Sequence, residues 1–126
     1  MRERLALMNL NEKLQDILGM TGLPVEQDEY TGHSNKYIIY VYEDERPEEH
    51  ADNKVTADTA YMQIQLVTPK EFNYFALKKE IRTLLEGADF IVTSVRSFLG
   101  DAYQGTERIR QTVFEATYTE SRKVEE

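Results

Sequence analysis

From Ala60 to Val67 the chain alternates. Ala60, Met62, Ile64 and Leu66 fall on one side, and Tyr61, Gln63, Gln65 and Val67 on the other. A two-residue period belongs to an extended strand, so this segment predicts a strand with one strongly apolar face. Thr68-Pro69-Lys70-Glu71 follows directly. Thr68 suits an N-cap, Pro69 a first helical turn and Glu71 the reciprocal position of a capping box. The predicted helix turns Phe72, Phe75, Ala76, Ile81, Leu84, Leu85 and Ala88 inward and ends near Gly87. A switch from strand to helix period within a few residues points to a domain that mixes sheet and helix.

The flanking segments extend this pattern. Leu7, Leu10, Leu14, Ile17 and Leu18 share one helical face and predict a helix over residues 4–19, with Asn9 and Glu12 as an alternative, later start. Gly19, Gly22 and Pro24 stop it. Residues 24–36 read as a polar connection in which part of the chain forms a short edge strand. Lys36–Glu43 is a strand apolar on both faces, placed inside a sheet or against a partner. Residues 43–56 lack a hydrophobic period and read as a long loop. Strands are expected at residues 90–99 and 106–120, joined by a turn region over 100–105, with Phe114, Ala116 and Tyr118 on one face. The expected fold is α+β, in the order α-β-β-α-β-β. It has a four-stranded, mainly antiparallel sheet with both helices packed on one face. Residues 1–120 form a single domain, and 121–126 a charged, frayed tail.

Composition narrows the chemistry. Net charge is −8, which disfavours holding a phosphate backbone by bulk attraction and disfavours an anionic membrane surface. The longest unbroken apolar stretch, Tyr37–Tyr42, is far too short to span a bilayer. Cysteine is absent, so disulfide and thiolate chemistry are excluded. His33 and His50 sit in predicted loops without partners at metal-ligand spacing. No glycine-rich phosphate loop or nucleophile elbow occurs. These readings predict no catalytic residues, no metal and no cofactor, and hence no enzyme.

Two features remain as candidate interface. The run Glu43, Asp44, Glu45, Glu48, Glu49 and Asp52 lacks the spacing and glycine of a calcium loop. It reads either as a solvated loop or, with Arg46, His50 and Lys54, as a mixed-charge contact with a neighbour. The strand tyrosines Tyr37, Tyr40, Tyr42 and Tyr61 divide between core and an outward set suited to a subunit interface. The candidate interface residues are therefore Tyr40, Tyr42, Arg46, Glu48, Glu49, His50, Lys54 and Tyr61.

The phrases HSNKYIIYVYEDERPEEHADNK, ADTAYMQIQLVTPKEFNYFALKKEIRTLL and ADFIVTSVRSFLGDAYQGTERIRQTVFEATY, in that order, carry a resemblance. The chain resembles the tail-terminator proteins of long-tailed bacteriophages and prophages, also called tail-completion, minor-capsid or head–tail joining proteins, over about residues 4–120. The resemblance implies a homo-oligomeric ring, commonly a hexamer, that caps the tail tube and joins it to the head–tail connector. It also implies a location in the virion tail or neck, after assembly in the host bacterial cytoplasm. It transfers no active-site residue. Another neck or tail-joining component, or a small-molecule-binding regulatory domain of ferredoxin-like type, are the alternatives.

Overall fold

The computed structural model of the protein describes residues 9–51, 54–101 and 108–121, apart from the side chains of 48–51, 54–56 and 121. The elements are α1 (Leu10–Gly19), β1 (Val25–Gln27), β2 (Tyr37–Ala51), β3 (Lys54–Pro69), α2 (Phe75–Gly87), β4 (Ile91–Asp101) and β5 (Arg108–Ser121). The fold is α+β, with one mixed five-stranded sheet in the order β1-β2-β3-β5-β4. The expected four-strand sheet and its element order are corrected by β1, which pairs parallel with β2 through Val25↔Ile38, Glu26↔Ile39 and Gln27↔Tyr40. β1 is the short edge strand read within residues 24–36, left out of the four-strand count; the open edge of β2 recruits it. The other pairings are antiparallel.

The alternation from residue 60 to 67 places Met62, Ile64 and Leu66 wholly out of solvent. They join Ile38, Tyr40, Phe114 and Ala116 from the neighbouring strands, Leu10, Leu14 and Leu18 from α1, and Ile81 and Leu85 from α2. Both helices therefore bury their apolar stripes against one face of the sheet. The α1 stripe has the four-residue spacing read from the sequence. Asn9 occupies the N-cap without a side-chain cap bond, so the helix takes the later of its two starts, while residues 1–8 lie outside the described residues.

Four expectations change. Thr68 does not cap a helix, because β3 continues through Pro69 and α2 begins only at Phe75. The turn is made by Asn73, whose Oδ1 accepts the Phe75 N–H at 3.2 Å. The pairing of Thr68 with Arg110 and of Pro69 with Ile109 on β5 outcompetes the local cap. As a result Phe75 faces solvent at 63% exposure, and Ala76 is also exposed. Residues 43–51 and 54–56, read as loop, are strand, continuing the ladder to Ala51↔Lys54. His50 is a strand residue opposite Val55. Ser121, assigned to a frayed tail, pairs with Ala57, while residues 122–126, like 102–107 of the predicted turn, lie outside the described residues.

The C-terminus of α2 ends in a Schellman turn. Phe90 N–H donates to Leu85 O at 3.0 Å and Asp89 N–H to Glu86 O at 3.2 Å, with Asp89 at φ 71°. Phe90 and Leu85, the residues that close this turn, both enter the core. The sequence offers Gly87 for the stop, but the left-handed residue is an aspartate, which also puts a negative charge at the helix C-terminus. Asp89→Gly is expected to stabilise the protein by about 0.5–1 kcal/mol, since glycine adopts this backbone without Cβ crowding. Thermal unfolding followed by circular dichroism checks this; an unchanged or lower Tm contradicts it.

Candidate interface surfaces

The candidate interface residues separate into three environments. Tyr40 is core, at 2% exposure, and does not face a neighbour. It shares the helix-facing side of β2 with Ile38, and its ring lies 5.9 Å from that of Tyr42 in an edge contact. Periodicity alone left its direction open because both sides of Tyr37–Tyr42 are apolar. Tyr42 is half-buried, and its hydroxyl donates to Asn11 Oδ1 on α1. Burial, then the neighbouring Tyr40, pushes its phenol upward, so Tyr42 stays protonated and tethers strand to helix.

The second environment is the arm formed by β2 and β3. A bulge between Tyr42 and Asp44 inserts Glu43 as an extra residue, shifting the register from Tyr42↔Met62 to Asp44↔Tyr61. After the bulge, Arg46 pairs with Thr59, Glu48 with Ala57 and His50 with Val55, and Lys54 stands opposite Ala51. The bulge brings Arg46 to Tyr61, its guanidinium 4.9 Å from the ring centroid. Asp44 Oδ2 accepts from Arg46 Nε at 2.6 Å, and this hydrogen bond, with the Glu45 N–H, holds the Asp44 carboxyl below its ordinary range. The strands remain paired because ladder bonds are made by the backbone whatever the side chains, and the side chains of Glu43, Asp44 and Glu45 are exposed. Pro47 is tolerated because β1 stops at the level of Tyr40, so this stretch of β2 has no strand on its outer side among the described residues.

The third environment is the sheet face away from the helices, a surface not singled out by the candidate residues. A polar row crosses it. Gln63 Nε2 donates to Glu43 Oε2 and to Glu115 Oε1, each at 3.0 Å, and Gln65 Nε2 donates to Gln63 Oε1 at 3.2 Å. Arg96 Nη2 stands 3.5 Å from Glu115 Oε1. Around the row lie half-buried Tyr37, Ile39 and Val41 and exposed Phe98 and Ile91. Gln63 and Gln65 follow from the alternation of β3, and Glu43 continues the outward series Tyr37, Ile39 and Val41 up to the bulge; its meeting with Gln63 and Glu115 depends on the strand order. Desolvation, followed by hydrogen bonding and charge repulsion from Glu115, raises the Glu43 carboxyl above its ordinary range. A raised folded-state value means that ionised Glu43 opposes folding at neutral pH, and that the penalty disappears as pH falls below the ordinary glutamate range. Glu43→Gln is therefore expected to raise Tm by about 1 °C at pH 7, with the gain gone near pH 4. Paired melts at the two pH values test it, and a gain that grows on acidification contradicts the assignment.

An open hollow of about 280 Å³ lies beside the bulge, lined by Leu10, Tyr42, Glu43, Asp44, Glu45 and Ala60. It falls below the roughly 300–1,000 Å³ of typical ligand pockets. Among the described residues no group of three His, Cys, Asp or Glu is placed to hold a metal ion, and no helix is long and apolar enough to cross a membrane. His33 is exposed and lies between β1 and β2.

No family model matches the sequence. No curated protein matches it. Among solved structures, one of similar length covers 98% of this chain and 97% of its own at TM-score 0.56 and 13% identity. That likeness shows a shared fold.

Proposed function

We propose that this chain is a structural assembly protein, a phage or prophage tail terminator. It forms a ring on the tail tube, halts tube growth and presents a surface to the head connector. The observation that carries this reading is the β2–β3 arm, which runs past Ala60, where β3 leaves the main core cluster, as paired strands bearing carboxylates. A paired, carboxylate-bearing extension of this kind suits contact with another protein better than turnover of a small molecule. The resemblance of the sequence phrases to those of tail-terminator proteins over about residues 4–120 supports the same reading. The protein acts through surfaces, with no catalytic step, and works in the tail or neck of the virion.

The test is direct. Purified protein is added to the tail-tube protein of the same phage or prophage while tubes polymerise, and the products are imaged by electron microscopy. The expected result is tubes of limited length with a ring at one end. A chain that stays monomeric at high concentration and never associates with tubes defeats the proposal. A ring found only at the head connector instead assigns it to another neck component.

A further inference from the structure

The end of the sheet opposite the arm carries the reverse charge. There the β3–α2 connection brings Phe72, Tyr74 and Phe75 together, with the Tyr74 and Phe75 rings stacked at 4.9 Å. Cations surround them. Lys36 Nζ lies 4.4 Å from the Phe72 centroid, the Arg110 guanidinium 4.9 Å from Tyr74, and Lys78 Nζ 5.7 Å from Phe75. Lys70 joins the same end through its N–H to Arg108 O, at 3.2 Å. Glu71 and Glu80 are the acids of this stretch. Among the described residues Lys36, Lys70, Lys78 and Arg110 form no ion pair, whereas Arg46, Arg82, Arg96 and Arg108 each meet a carboxylate. Arg110 Nε and its cross-strand neighbour Thr68 Oγ1 are both buried without a hydrogen-bond partner among the described residues. Against a net charge of −8, this is a local excess of unneutralised cations beside an exposed aromatic ring.

The acidic counterpart lies on the same chain but beyond its reach. Residues 43–49 hold five carboxylates and one arginine. In the ladder Asp44 stands opposite Tyr61 and Glu48 opposite Ala57, while the basic end lies beyond Pro69. At about 3.3 Å per strand residue that is a separation of roughly 25–40 Å, and the paired ladder cannot fold back on itself. Resting on the assembly reading above, we infer that the acidic arm of one copy docks on the Lys36–Lys70–Tyr74–Phe75–Lys78–Arg110 surface of a second copy. The contact is head to tail: two different patches meet, and repetition closes a ring when the rotation permits. Opposite charge sets the direction of docking, and Phe75 supplies an apolar anchor at its centre.

The test uses two charge reversals of the full chain: Lys70→Glu with Lys78→Glu, and Glu45→Lys with Glu48→Lys and Glu49→Lys. Circular dichroism verifies that each is folded. Sedimentation velocity at about 50 mM and 500 mM salt, which spans short and long screening lengths, reads association. The unmodified chain is expected to self-associate, more weakly at high salt. Each reversal alone should weaken association at least about tenfold, and mixing the two should restore it, because each then offers the charge the other lacks. Association that persists in both reversals overturns this interface while leaving an assembly role intact. A chain monomeric in every condition overturns it too, and the tube-capping assay then decides the assembly role separately. Single-stranded oligonucleotide that binds the unmodified chain but not the Lys70/Lys78 variant, without self-association, assigns the basic end to nucleic acid and overturns the inference.

Discussion

Phe114→Ala is expected to lower the unfolding free energy by about 3–5 kcal/mol, the range for removing a buried phenylalanine ring from a packed core. Phe114 is wholly buried at the centre of β5, opposite Ile64 of β3 and Val95 of β4. Its ring belongs to the single cluster that receives Leu14 and Leu18 from α1 and Ile81 and Leu85 from α2. Alanine there removes the transfer free energy of the ring and leaves a cavity between strands that backbone pairing prevents from closing. Domains of this size are stable by about 5–15 kcal/mol, so the variant should lose on the order of 10 °C in Tm or fail to fold at growth temperature. Urea unfolding measures the loss. A change below about 1 kcal/mol contradicts the assignment of Phe114 to the centre of the core.

The second large effect concerns the arm. Glu45 and Ala60 are directly opposite in the ladder, so residues 46–59 can be replaced by Asn-Gly without changing the register of what remains. Asn-Gly favours the two-residue turn whose twist matches paired strands. The shortened protein keeps the described core cluster, which reaches no further along β3 than Ala60. It does lose buried Ala57 and Thr59 and the pairing of Thr119–Ser121, so its Tm should fall while its unfolding stays cooperative. If the arm makes the assembly contact, tube capping and self-association should both weaken by at least about 100-fold, the scale of losing the centre of an interface. Undiminished capping by the folded, armless protein removes the arm from the mechanism.

These two variants probe parts of the protein that were unequally legible in the sequence. Phe114 is plain in the alternation of β5. The arm is concealed, because residues 43–56 have neither an apolar period nor β-branched runs, and these are the signals by which a strand is recognised. It forms because β2 and β3 are already held in register by Ile38↔Leu66 and Tyr40↔Ile64, and the ladder propagates through backbone groups indifferent to side-chain polarity. Glu43 was likewise visible as a charge and invisible as a site. Its place beside Gln63 and Glu115 depends on the pairing of β2 with β3 and of β3 with β5, which no local pattern marks. Thr68-Pro69-Lys70-Glu71 is the opposite case: a strong local helix signal overruled by the pairing of Thr68 and Pro69 with β5.

By itself the sequence determined the α+β class, the strand at 60–67, the inward faces of α1 and β5, and the exclusion of cysteine chemistry. Those properties follow from periodicity and composition, which act over a few residues. Tertiary structure alone decided that Tyr40 turns inward, that β1 joins the sheet, that the acidic segment is a paired strand arm, and that Lys36, Lys78 and Arg110 lie against Phe72, Tyr74 and Phe75. Each of these depends on which strand finds which neighbour, and the pairing energy between distant segments is written in no single stretch of the chain.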